Sequence, residues 1–98
     1  MNNKLKKDLI YLKLNIFYII SNLDKNTDND IEFIENFINK YSKNKIKFNK
    51  NSFLTKIKEN PINYYNNLLL KIINVEIDLL EKKDFKENLS NLLNYLGE

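Results

Sequence analysis

The 98-residue chain has no Cys, His, Trp, Arg, Ala or Gln, and only one Gly and one Pro. Without Cys it can form neither a disulfide nor a thiolate metal site, so packing alone must hold it together. The lack of both His and Cys reduces the usual bases and nucleophiles to carboxylates, Lys, Tyr and Ser. Ser21, Ser42, Ser52 and Ser90 stand in helix or turn contexts beside no activating neighbour. The one Gly is the penultimate residue, which excludes a Gly-rich phosphate loop. These gaps predict a protein that is not an enzyme and carries no resident cofactor. Long apolar runs are missing too. The greasiest, LIYLKLNIFYII (9 to 20), is short for a bilayer and holds Lys13 and Asn15. No small-residue cleavage site follows it. A cytoplasmic chain with no membrane span is the expectation.

Packing material is plentiful: 43% of residues are hydrophobic, with six Phe and six Tyr. Lys, Asn, Ile and Leu dominate, the pattern an AT-rich genome imposes, so abundant Lys and Asn partly reflect mutational bias. Such a composition points to a bacterium, a phage or another mobile element. The length suits one domain over residues 1–98.

Helical periodicity runs through nearly the whole chain. Leu5, Leu9, Leu12, Ile16, Ile19 and Leu23 alternate steps of four and three, which puts them on one stripe. Ile10, Phe17 and Ile20 widen that stripe. A helix this apolar belongs at the centre of a bundle or buries a second side against a partner. A second helix from about residue 29 turns Ile31, Ile34, Phe37, Ile38 and Tyr41 inward, with acids first and Lys last as its dipole favours. The link 42–51 should tuck Ile46 and Phe48 under the bundle, and a short helix at about 52–59 uses Phe53, Leu54 and Ile57. Asn60-Pro61 reads as a cap and first helical residue. It opens a helix to about residue 82 whose only polar stripe is Asn67, Lys71, Asn74, Asp78 and Glu81. Asp84 with Glu87 predicts an acidic capping box for the last helix, which faces Phe85, Leu89, Leu92 and Leu96 inward and stops at Gly97. The expected fold is all-α: a small compact bundle of four principal helices plus one short helix.

The turn LDKNTDNDIEFIENF (23 to 37) carries the pattern of a calcium loop. Counted from Asp24, oxygen ligands fall at Asp24, Asn26, Asp28, the carbonyl of Asp30, Glu32 and a bidentate Glu35, with Ile31 at the apolar position. The segment resembles an EF-hand loop, though Asn29 stands where that family has Gly and no second loop pairs with it. The resemblance implies a Ca ion held by those residues. The plainer reading, which we take as the expectation, is a polar turn in which Thr27 or Asp28 caps the next helix.

Residues 36–58 contain seven Lys and no acid: Lys40, Lys43, Lys45, Lys47, Lys50, Lys56 and Lys58. With Tyr41, Phe48 and Phe53 nearby, this strip could follow a nucleic-acid backbone or meet an acidic protein surface. A chain without Arg is poorly equipped to read base sequence, and a net charge of +3 is modest. Tyr11 and Tyr18 sit on the polar side of the first helix and suit a contact surface. Wheel angles also set Lys13 and Glu76 among apolar neighbours, so the two should pair with each other or with a Tyr hydroxyl.

Together these features predict a small non-enzymatic protein-interaction module with another protein as its partner, a homodimer also being allowed. In length and layout the chain is similar to the helical immunity proteins of small bacteriocins and to small phage inhibitors of bacterial defence systems. That likeness implies a stoichiometric inhibitor, immunity or adaptor role. The alternatives are a Lys-rich nucleic-acid-binding subunit of a larger ribonucleoprotein and, third, a calcium-responsive module.

Overall fold

A computed structural model describes residues 2–43 and 46–97, and every element in it is helical: α1 (Asn2–Ser21), α2 (Asp28–Tyr41), α3 (Lys50–Glu59), α4 (Pro61–Leu80) and α5 (Lys86–Gly97). The main contacts run α2 to α1, α1 to α4, α4 to α5 and α5 back to α2, while α3 packs on α4. The result is a closed ring of four helices with the short α3 laid against one of them. Its core holds most of the residues that the periodicity put inward, while Leu23, Tyr41, Leu54 and Phe85 pack against it half-buried. Leu5, Leu9, Leu12, Ile16 and Ile19 of α1 meet Ile31, Ile34, Phe37 and Ile38 of α2, together with Tyr64, Leu68, Ile72, Val75 and Leu79 of α4. Phe53 and Ile57 close one side, and α5 adds Leu89, Leu92, Leu96 and also Leu93. Ile46 and Phe48 of the basic link pack on this core half-buried, as predicted.

Local chemistry explains most element boundaries. The Asn60 side chain accepts the Asn63 amide at 3.3 Å and Pro61 follows it, so α4 starts where predicted. In the same way Asn49 accepts the Ser52 amide at 2.9 Å, which starts α3 two residues earlier than expected, at Lys50. Thr27 occupies the cap position of α2 without a capping hydrogen bond. It is buried, and Asn26 accepts the Asp28 amide at 2.9 Å instead. Asp84 likewise takes the Lys86 amide at 3.0 Å rather than that of Glu87, so the expected capping box gives way to a tighter turn.

The end of α4 is a Schellman motif. Lys83 N–H donates to the Asp78 carbonyl at 2.8 Å and Lys82 N–H to that of Leu79 at 3.4 Å. Closing it forces Lys82 to a φ of 57°, a left-handed conformation that strains any residue with a Cβ. Lys82→Gly should therefore raise stability by about 1 kcal/mol, read from the urea midpoint at unchanged slope. Gly97 belongs to a different case. It is the last described residue of α5 and has no positive φ; its lack of a side chain matters because a Cβ would lie 2.2 Å from Ile46 Cγ2.

The α1–α2 seam is fastened at one polar point. The Asp8 carboxylate accepts hydrogen bonds from Lys40 Nζ at 2.7 Å and from the Tyr41 hydroxyl. Burial pushes the Asp8 carboxyl up, but the Lys40 and Tyr41 hydrogen bonds and the charges of Lys40 and Lys4 outweigh it, leaving its pKa below the ordinary carboxylate value. The folded chain thus holds this proton less tightly than the unfolded chain. The stabilisation is present above the ordinary carboxylate range and is lost as pH falls through the lowered value. Asp8→Asn should lower stability at neutral pH and flatten the acid limb of a pH–stability curve, as urea titrations between about pH 2 and 7 would show.

An aromatic ladder joins the link to the last helix. Phe48 meets Phe53 at 5.3 Å, Phe53 meets Tyr64 edge-on at 5.9 Å, and Tyr64 stacks on Tyr95 at 5.1 Å. Within it the Tyr64 hydroxyl is buried with no hydrogen-bond partner among the described residues. Removing an unpaired buried hydroxyl relieves a desolvation cost. Tyr64→Phe should leave the thermal midpoint unchanged or raise it, by up to about 1 kcal/mol in stability terms.

Candidate functional site

Each helix of a four-membered ring has one face inward, two flanks against neighbours and one face outward. On α1 and α4 several polar residues are turned to a neighbouring helix and not outward. Asp8 of α1 is spent on α2, where it meets Lys40 and Tyr41. On α4, Asp78 accepts from Asn88 of α5 at 2.6 Å, and Lys71 Nζ lies 5.0 Å from the Tyr95 ring centre. Part of the polar stripe of α4, Lys71 and Asp78, is therefore turned to α5, while Asn74 and Glu81 stay exposed. The large apolar side chains exposed on the outward side are Ile10, Leu14 and Phe17 on α1 and Ile62, Leu70, Ile73, Ile77 and Leu80 on α4, beside exposed Lys6, Lys7, Asn63, Asn66, Asn74 and Glu81. Leu14 is 59% exposed and Leu80 77%.

These two stripes form one surface. Lys13 pairs with Glu76, and farther along α1 Phe17 meets Tyr65 at 6.1 Å, so α1 and α4 run antiparallel with their outer faces side by side. At the seam Lys13 Nζ donates to both Glu76 oxygens at 2.9 and 3.1 Å. The two side chains keep 32% and 28% of their surface, so the pair lies at the rim of the core and not within it. Their charges cancel in the middle of the face. Tyr11 and Tyr18 mark its border toward α2, both exposed, with Tyr11 edge-on to Phe33 at 6.4 Å.

The other sequence candidates come together only in part. The α2 helix begins at Asp28, so Asp28, Asp30, Glu32 and Glu35 ride on its first turns, while Asp24 and Asn26 stay in the preceding turn. An EF-hand keeps its first ligands on an irregular loop that wraps the ion; here the helix sets Asp28, Glu32 and Glu35 on one face along a shared cleft and turns Asp30 to another. Among the described residues no three carboxylates gather in a way that could hold a metal ion. Asp28 is instead paired with Lys50 at 2.5 Å, at the edge of an open cleft of about 410 Å³ lined also by Ile31, Glu32, Glu35, Asn36 and Phe48.

Among the strip lysines, Lys40 and Lys50 are paired with acids. Lys56 lines a second cleft of about 410 Å³ with Glu59, Asn60, Asn63, Tyr64 and Tyr95. Lys43, Lys47 and Lys58 are exposed, and Lys45 lies outside the described residues. Wheel angles from the sequence alone marked Ile10 and Phe17 as surplus apolar residues but did not single out Leu14, Leu70, Ile73 or Ile77. The signal was present in α4, where a polar stripe as narrow as Asn67, Lys71, Asn74, Asp78 and Glu81 cannot cover both an outer face and a flank. No helix among the described residues is long and apolar enough to cross a membrane. Comparison with protein-family models, curated proteins and solved structures finds no match.

Proposed function

We propose that the chain is a non-enzymatic, cytoplasmic interaction protein that works by stoichiometric contact, through the outer face of α1 and α4, with another protein chain. The observation that carries this reading is the exposed apolar cluster of Ile10, Leu14, Phe17, Leu70, Ile73 and Ile77, next to which Asp8, Lys71 and Asp78 are used against α2 and α5. Apolar patches of such extent on small proteins mark contact surfaces. An inhibitor, immunity or adaptor protein of a bacterium, phage or mobile element fits the size, the composition and a surface in place of a reaction centre. The nucleic-acid alternative draws less support, since Lys40 and Lys50 already have acidic partners.

Affinity purification of the tagged chain from its native host, followed by mass spectrometry, tests the proposal. The expected result is a protein recovered in stoichiometric amount with the wild type and lost with Leu14→Glu. Equal recovery with that variant would remove the face from the mechanism.

A further inference from the structure

We infer that the outer face of α1 and α4 is covered by the same face of a second copy of this chain, in a two-fold symmetric dimer. The inference rests on reading that face as a protein-contact surface, and it names the occupant.

Area is the first argument. Among the described residues ten large hydrophobic side chains are exposed, from Ile73 at 40% to Leu80 at 77%, all on α1 and α4. Together they present on the order of 800 Å² or more, which exceeds the roughly 300–600 Å² of the largest patch on an ordinary monomer and matches the roughly 800 Å² that each partner brings to a standard interface. A face of this size on a chain of 98 residues is a large share of the 6562 Å² total surface. Left open, it would make the chain stick to itself without order.

Self-complementarity is the second. A two-fold contact places one patch against itself, so it works best where the patch needs no opposite charge across the interface. Here the mid-face charges, Lys13 and Glu76, already neutralise each other within one chain. Apolar side chains on an antiparallel helix pair interdigitate with an identical pair as ridges into grooves.

The remaining charges select the orientation. Pairing of Lys13 with Glu76 brings the start of α1 and the end of α4 together, which gathers exposed Lys6, Lys7, Lys82 and Lys83 at one end of the face and leaves it positive even with Glu81 paired to Lys83 at 3.0 Å. At the other end stand the uncharged Ser21, Asn63 and Asn66. An axis parallel to the helices would stack two lysine ends; an axis lying across them places each lysine end over the neutral end of its mate. Like-charge repulsion favours the second.

Sedimentation of the purified full chain over a dilution series from millimolar to micromolar tests this. The wild type is expected at twice the chain mass of 11.8 kDa at the top of the series. Leu14→Glu and Ile73→Glu should each sediment as monomers with wild-type helical circular dichroism, while Asn91→Glu, exposed on α5, should remain dimeric. A wild type that is monomeric at millimolar concentration overturns the inference, as does a dimer that survives both face substitutions. The docking proposal fails separately: a monomeric wild type whose host partner is lost with Leu14→Glu overturns the dimer alone. A dimer abolished by Leu14→Glu with host-partner recovery unchanged supports the dimer and overturns docking.

Discussion

Replacing Phe53 with Ala is expected to cost about 3–5 kcal/mol, enough to bring a domain of this size close to its unfolding threshold at room temperature. Phe53 is 1% exposed, yet it sits on α3, the shortest helix. Its ring is the middle rung between Phe48 of the link and Tyr64 of α4. Ten residues cannot hold a helix in water on their own, since nucleation is costly and isolated helices of that length are marginal. The α3 helix exists because Phe53 and Ile57 anchor it to α4. Removing the ring therefore leaves a cavity and also releases the helix and the link. The expected signature is a lower urea midpoint together with early hydrogen exchange in residues 46–59, ahead of the four-helix ring. A loss under about 1 kcal/mol would mean that α3 is held by something other than this rung.

How much of this was legible in advance varied with the kind of interaction. The inward stripes of α1, α2, α3 and α5 could be read because burial imposes a period, and a residue such as Leu9 or Ile34 has no reason to keep that period except contact with the core. The Lys13–Glu76 pair could be read for the complementary reason: each charge falls among apolar neighbours on its own helix, so each needs the other. Capping was less legible. Asn49, Thr27 and Asp84 are all competent caps by type, and which amide each takes depends on a rotation of the chain that composition does not record. Gly97 was assigned to helix termination, whereas its close approach is to Ile46, far away in sequence. The calcium pattern shows the same limit. Asp24 to Glu35 have ligand chemistry at ligand spacing, but spacing along the chain is not convergence in space once α2 starts at Asp28. The candidate site lay deepest, because an apolar residue facing solvent and one facing the core differ by neighbours and not by type.

Leu12 and Leu14 turn that last distinction into a measurement. They are the same residue type on the same helix, two positions apart, and Leu12 is fully buried while Leu14 is 59% exposed. Leu12→Ala should cost about 2–5 kcal/mol, the transfer free energy of the lost atoms plus the cavity left among α1, α2 and α4. Leu14→Ala, measured at low chain concentration, should stay within about 0.5 kcal/mol of wild type, since it removes little buried surface and Ala is the better helix former. The two values compared on one helix separate face from core with no reference to any partner. Raising the chain concentration then adds a second reading. Association of folded chains stabilises them by mass action, so the wild-type melting temperature should climb with concentration. Leu14→Ala should climb less, and Leu12→Ala should climb in parallel with the wild type from a lower start. If both variants lost the same stability at every concentration, α1 would be buried on two sides within a single chain, and its outer surface would be core.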